Sequence, residues 1–460
     1  MAVINFVYNL LWGDLFTLSF GKTQIGISLL VLILIPTGIY FTIRTKFLMI
    51  RFFPEMLRLT AEKKTGGKSS VSGVQALIVS TATRVGMGNL VGVVAALSLG
   101  GAGAVFWMWV TALIGASTAF IEATLAQLHR EPDALYGGFK GGPSYYMHSF
   151  FSKGKKKSIL AVLFALSGLV CWGGISQVIG NSITDGFNSA FAIKPIYVTV
   201  VMVALAAIIV LKKNATVKVL DIVVPIMAAF YFFIAIFVII KNAALIPSVL
   251  RNIVDEAFGI RQAVAGGFGA ALMNGVKRGL FSNEAGSGSA PCASASGEVS
   301  HPAKSGLLQA FGVFVDTIVI CTCTAMVMLL APSKILSGTV GIKLLLDAMQ
   351  HHFGYAGVVF MVITLALFCF STFIGILYYA RSNVSYLFGN SMKAQTIYKI
   401  FALIMLFVGG LAAYTFVWDI GDIGVGLMTV FNVIALYPMS REALDSLKDY
   451  TKIMKERKNK

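Results

Sequence analysis

Two glycine-rich strings carry the chemistry of this chain: Arg84-Val85-Gly86-Met87-Gly88-Asn89 and Asn283-Glu284-Ala285-Gly286-Ser287-Gly288-Ser289. Each falls in the middle of a segment otherwise long and apolar enough to cross a bilayer. A peptide group without a partner is costly in hydrocarbon. A helix therefore breaks there only where its freed N–H and C=O groups line a buried cavity and hold a ligand or an ion. A half-helix restarting near Gly88-Asn89 turns its first N–H groups and positive dipole end towards the gap, a seat for an anionic group. Gly86 and Gly88 allow positive φ and close approach of a bound molecule, although tight helix packing also selects glycine. Asn89 adds an amide to the same gap. Two such breaks in matching halves of a polytopic chain point to the binding site of a secondary carrier.

The elements that position these strings follow from composition. Of 460 residues, 57% are hydrophobic and only 12% are charged, against about a quarter charged in soluble domains. The expected fold class is an all-α polytopic membrane protein. The net charge of +17 does not indicate nucleic-acid binding, because the basic residues gather in alternate loops. These loops are Arg44 to Lys68, Arg130 to Lys157, Lys212 to Lys218, Arg381 with Lys393, and Arg441 to Lys460. That distribution places them in the cytoplasm.

Eleven spans result. The first is Thr23–Ile43, and the others are 72–99, 102–128, 158–190, 195–211, 216–240, 264–295, 304–330, 355–380, 395–416 and 419–438. The N-terminus is then external and the C-terminus cytoplasmic. Residues 1–22 form an external interfacial segment, 23–440 the transmembrane domain, and 441–460 a basic tail near anionic lipid. The two broken spans are five spans apart. That odd offset makes them enter the membrane from opposite sides, as inverted repeats over about 72–240 and 264–438 require. All five cysteines fall in predicted spans with no CxxC pair, so they read as small apolar fillers.

Three longer strings resemble the alanine-or-glycine:cation symporter family. They are Ala104-Val105-Phe106-Trp107-Met108-Trp109-Val110-Thr111-Ala112-Leu113, Gly141-Gly142-Pro143-Ser144-Tyr145-Tyr146, and Lys277-Arg278-Gly279-Leu280-Phe281-Ser282-Asn283-Glu284-Ala285-Gly286. The likeness runs from about residue 10 to 440. It implies a LeuT-type fold, one N-terminal helix plus a five-plus-five inverted repeat, with the first and sixth core helices broken. It also implies import of a small neutral amino acid with Na⁺, or with H⁺ as the alternative. The plasma membrane is the expected location.

The resemblance then assigns residues. Gly86, Met87 and Gly88 would receive the substrate carboxylate, Asn89 would bond either it or a nearby cation, and Phe281, Ser282 and Asn283 would lie nearest the ammonium. Gln177 would reach the substrate, or else make an interhelical hydrogen bond worth roughly 0.6–2 kcal/mol. The Na⁺ site would combine the carbonyls of Ala82, Val85 and Phe368 with the hydroxyls of Ser371 and Thr372. The last three share one face of a single turn, where a Ser-Thr pair can instead bond back to the preceding turn.

Six ionisable residues sit at or near membrane depth: Arg84, Glu122, Lys277, Arg278, Glu284 and Asp316. Three basic and three acidic groups can neutralise one another as structural or gating pairs. Substrate contact by Arg84 and proton carriage by Glu284 or Asp316 are the alternatives.

Three positions depart from the family pattern. Met87 stands where Thr is usual, Ser287 where Met is usual, and Ile376 where Trp is usual. Losing an indole enlarges the pocket, and a flexible Met reshapes it. A larger neutral amino acid such as glutamine is therefore the alternative substrate. A channel would need a filter-like ring, and an enzyme a nucleophile with its base or a metal. Neither pattern appears in the spans, and there is no soluble output domain for a sensor.

Overall fold

The computed structural model describes residues 2–20, 23–62, 71–72, 86–152, 157–212, 216–260, 267–412 and 414–458. The described chain is mostly helical. We number its helices α1 (Ala2–Trp12), α2 (Leu29–Arg44), α3 (Leu48–Thr60), α4 (Gly88–Gly100), α5 (Gly103–Leu128) and α6 (Pro143–Phe151). Next come α7 (Ile159–Phe191), α8 (Pro195–Val210), α9 (Thr216–Lys241), α10 (Ile246–Ala257), α11 (Phe268–Asn283) and α12 (Ala290–Ser294). The last are α13 (Pro302–Leu329), α14 (Ser333–Gly338), α15 (Ile342–Phe388), α16 (Met392–Leu411) and α17 (Tyr414–Lys458). Six described helices are long and apolar enough to cross a membrane, and up to eight if two sharply bent pairs each count as one span.

Of the expected span 72–99, residues 73–85 lie outside the described residues, and three other expectations differ from the described helices. Thr23–Ile27 is not the start of the first span but a strand paired antiparallel with Phe16–Phe20. The helix begins only at Leu29, where the Ser28 hydroxyl accepts from the Val31 N–H at 3.3 Å and caps it. Ile25 and Ile27 alternate with Gln24 and Gly26, a short strand period that a hydropathy window averages away. The span at 355–380 belongs to the longer α15, which turns at Gly354 (φ 63°) and continues to Phe388. The tail from 441 is not separate from the last span, because α17 runs through Pro438 to Lys458.

Helix α7 is the central post. It packs along α15, α16 and α17 through small residues that let backbones touch. A Cβ placed on Gly424 would lie 2.3 Å from Cys171 Cα, and one on Gly174 would lie 2.6 Å from Gly421 N. A short parallel pairing joins Val71–Ser72 to Gly297–Glu298. There Gln127 Nε2 and Arg130 Nη1 each donate to the Gly297 carbonyl at 2.7 Å.

Candidate functional site

The first glycine string meets the end of α11. Gly88 opens a wide π turn over Gly88–Gly92, with Met87 helical before it. A Cβ on Gly88 would stand 3.0 Å from Ser282 Cα and 3.3 Å from the Phe281 carbonyl oxygen. This glycine is therefore required by close approach of the second broken helix, not by a positive φ. On the other side α11 ends at Asn283. Glu284 then adopts a left-handed φ of 56°, Gly286 and Gly288 have φ of 92° and 80°, and α12 restarts at Ala290.

The freed peptide groups of that second break are accounted for in detail. Glu122 Oε1 accepts from the Gly286 N–H at 3.2 Å, while its Oε2 accepts from Asn432 Nδ2 at 2.8 Å. The same Asn432 amide donates to the Gly286 carbonyl at 3.0 Å, and the Tyr146 hydroxyl donates to Asn432 Oδ1. Glu122, from α5, and Asn432, from α17, therefore clamp one glycine from both sides. Glu284 accepts from the Tyr379 hydroxyl at 3.1 Å.

On α15 the Ser371-Thr372 pair bonds back to the preceding turn, the alternative to an ion site. Ser371 Oγ and Thr372 Oγ1 both donate to the Phe368 carbonyl, at 2.8 and 3.0 Å. Thr372 Oγ1 also accepts from the Met87 N–H at 3.0 Å. Three hard oxygens therefore gather on one buried turn that touches the first break. Ala82, Arg84 and Val85 lie outside the described residues.

The polar side chains divide. Asn89 Nδ2 donates to the Asp316 carbonyl at 3.0 Å, joining two π turns, a geometry that recurs at functional sites. Its Oδ1 is buried without a hydrogen-bond partner among the described residues. Asp316 Oδ2 accepts from Ser282 Oγ at 2.7 Å and Thr317 Oγ1 at 2.9 Å. Asn89, Asp316 and Ser282 thus form one cluster between α4, α11 and α13. The Phe281 ring lies 5.0 Å from that of Trp418, tilted by 55°, and packs against Gly92.

Two expected residues stand apart from this cluster. Asn283 Oδ1 accepts from the Ala285 N–H at 3.0 Å. The residue lines a cavity of about 20 Å³ with Thr37, Thr111 and Thr118, on the side of α11 that faces α2 and α5. Gln177 donates to Met405 Sδ at 3.3 Å, and its Cα backs onto Gly409, so its described contacts are with α16. Its Oε1 is likewise buried without a described partner. Ile376 is buried one turn beyond Thr372 on α15, and Met87 is fully buried.

Among the described membrane-depth charges, Lys277 and Arg278 pair with Asp422, an acid outside the expected set. Lys277 Nζ lies 2.6 Å from Asp422 Oδ2, and Arg278 grips the same carboxylate through two nitrogens at 3.2 and 3.0 Å. The guanidinium also lies 4.0 Å over the Trp418 ring. From the amino-terminal helix, the Lys277 ammonium donates to the Tyr8 hydroxyl at 2.6 Å, and Trp12 Nε1 donates to the Asp422 carbonyl at 2.9 Å. The partners that sequence reasoning missed are Asp422, Asn432 and Tyr379. Asp422 and Asn432 were visible as polar residues inside the last apolar segment.

The sodium:alanine symporter family model matches residues 16–460. The chain belongs to the sodium:alanine symporter family. It is 41% identical over 94% of its length to a Bacillus subtilis protein described as the probable sodium/glutamine symporter GlnT, covering 90% of that protein. It is 33% identical over its full length to the sodium/alanine symporter AgcS of Methanococcus maripaludis, of which it covers 99%.

Among solved structures, the crystal structure of MhsT in complex with L-phenylalanine superposes with a TM-score of 0.57 at 12% identity. That match covers 81% of this chain and 89% of the other, a likeness of LeuT-type fold alone. This family member is a multi-pass membrane transporter that couples amino-acid movement to Na⁺.

Proposed function

We propose that this symporter imports a small neutral amino acid of the alanine or glycine type at the junction of its two breaks. In this reading the Na⁺ ligands are Ser371, Thr372 and the carbonyls of Phe368, Ala82 and Val85. Gly86, Met87, Gly88 and Asn89 receive the carboxylate, with Phe281, Ser282, Asn283, Gln177 and Ile376 around the rest. The observation that carries it is the contact of the Met87 N–H with the Thr372 hydroxyl. It brings a substrate-binding segment and an ion-binding turn into one hydrogen bond.

The chain performs transport and no enzymatic step. It resides in the plasma membrane with the N-terminus outside, the C-terminus in the cytoplasm, and inverted repeats over about 72–240 and 264–438. The basic loops on one face support that orientation.

A second reading is favoured by Ile376, which occupies less volume than an indole, and by the 41% identity to GlnT. In it the pocket admits glutamine. Uptake of labelled alanine into proteoliposomes, competed with alanine, glycine, serine and glutamine under an inward Na⁺ gradient, decides between the two. Competition by the small residues alone supports the first reading, and competition by glutamine supports the second. Uptake driven by a proton gradient without Na⁺ would replace the coupling ion.

A further inference from the structure

A second built cleft lies far from the breaks, where α2 gives way to α3. Two consecutive residues with left-handed backbone, Lys46 (φ 56°) and Phe47 (φ 57°), turn the chain there, and α3 leaves α2 at 74°. Helix α3 carries Arg51, Glu55 and Arg58 yet buries Leu48, Phe52, Met56 and Leu59. An amphipathic helix of this kind lies along the membrane interface.

Between this elbow and the far end of α17 is a cavity of about 590 Å³. Arg44, Lys46 and Arg51 line one wall. Arg441, Lys448, Lys452 and Lys455 line the other, and Asp445 is the one carboxylate among the lining residues. Asp445 is already engaged by Lys448 at 2.7 Å and Arg441 at 3.8 Å. A strong excess of positive charge is left facing the cleft.

The walls are held in place from below. Glu55, on the buried face of α3, accepts from Tyr450 Oη at 2.5 Å and from Arg457 Nη2 at 2.7 Å, both on α17. Arg58 joins the same carboxylate at 2.7 Å. The tail helix is thereby fixed against the elbow, and the cationic side chains converge instead of splaying into solvent.

We propose that this cleft binds the phosphate of an anionic membrane phospholipid. The chemistry of the walls selects a phosphate-bearing anion, because ammonium and guanidinium groups from two elements surround one concavity. The apolar surface beside it selects a lipid. Ile43, Phe47 and Ile50 are exposed on the same elbow, Ile50 by 78%. Acyl chains would cover these side chains while the headgroup enters the cleft. The lipid would then brace α17 at its far end, and α17 supplies Asp422 and Asn432 to the region of the breaks.

The test is native mass spectrometry of the purified full-length transporter, titrated with dioleoylphosphatidylglycerol or dioleoylphosphatidylcholine. Phosphatidylglycerol should bind more tightly. Lys46→Gln/Lys452→Gln should weaken that binding roughly 10-fold without changing the phosphatidylcholine series. Asp445→Asn should instead tighten it several-fold, a gain that a misfolded protein would not show. Millimolar inorganic phosphate should leave the bound lipid in place. Equal binding of the two lipids by the wild type would overturn the proposal, as would unchanged phosphatidylglycerol binding in both variants. Full displacement by inorganic phosphate would assign the cleft to a soluble anion and overturn the lipid.

Discussion

The Met87 amide donates to the Thr372 hydroxyl across 3.0 Å, joining the start of α4 to the middle of α15. The hydroxyl in turn donates to the Phe368 carbonyl. An oxygen so placed has its proton directed at one carbonyl and a lone pair held by a backbone N–H, so its orientation is fixed. Movement of the first break relative to α15 would break this contact. Ion binding at the turn and the conformation of the substrate segment are therefore mechanically connected.

Glu122→Gln keeps the size of the side chain and removes its charge. The Gly286 N–H and the Asn432 amide would lose a charge-assisted acceptor, each such bond being worth about 1.5–3 kcal/mol. The variant should melt several degrees lower and transport poorly, while Asn432→Asp should disturb the same break by placing a second carboxylate beside Glu122. A melting curve equal to the wild type would remove the clamp from the account.

Gln177→Ala should weaken substrate affinity roughly 5- to 150-fold with little loss of folded protein, since a buried group left without its partner costs about 1–3 kcal/mol. Calorimetry reads this directly. Wild-type affinity combined with a lowered melting temperature would place Gln177 at the α7–α16 interface, beside Met405 and Gly409, and nowhere else.

Ile376→Trp should narrow the substrate range towards alanine and glycine. The position is fully enclosed one turn from Thr372, and an added ring there forces overpacking of about 1–3 kcal/mol. Competition against labelled alanine by serine and glutamine measures it. An unaltered glutamine profile would show that Met87, not Ile376, sets the size of the pocket.

Glu55 supplies a pH prediction. Burial pushes its carboxyl up, but hydrogen bonds from Arg58, Arg457 and Tyr450 outweigh burial and hold it at about 2. The folded value lies below the unfolded carboxylate value of about 4.3. The tail anchor thus contributes its full stability above that unfolded value and loses it as pH falls towards 2. The melting difference between wild type and Glu55→Gln should be flat from about pH 8 to about pH 5 and shrink below about pH 4. A difference that already shrinks between pH 7 and pH 5, scaled by about 1.4 kcal/mol per unit, would contradict the anchor.

Much of this architecture was legible because its signals are local. Long apolar runs, alternate basic loops and glycine strings at mid-span are direct consequences of the bilayer as solvent. The Ser371–Thr372 turn was legible too, since i, i+3 and i+4 on a helix fix three oxygens together without tertiary knowledge.

What escaped was long-range pairing. Nothing near Lys277 or Arg278 in sequence indicates that Asp422, on the last spanning helix, collects both charges. Asn432 likewise reaches Gly286 only because α17 crosses α5. The hairpin at Phe16–Ile27 was lost to a window that averages hydropathy over a helix-length segment, where five residues of strand alternation disappear. The small cavity that Asn283 lines on the side of α2 and α5 had no local signal either.

The central claim is that Na⁺ is held at Ser371 and Thr372 against the first break. The most direct measurement is amino-acid uptake into proteoliposomes as a function of external Na⁺, for wild type and for Ser371→Ala/Thr372→Ala. The account predicts that the double variant needs at least roughly tenfold more Na⁺ for half-maximal uptake, since two charge-assisted ligands are lost, while melting as a folded protein. Unchanged Na⁺ dependence in the folded double variant would contradict it.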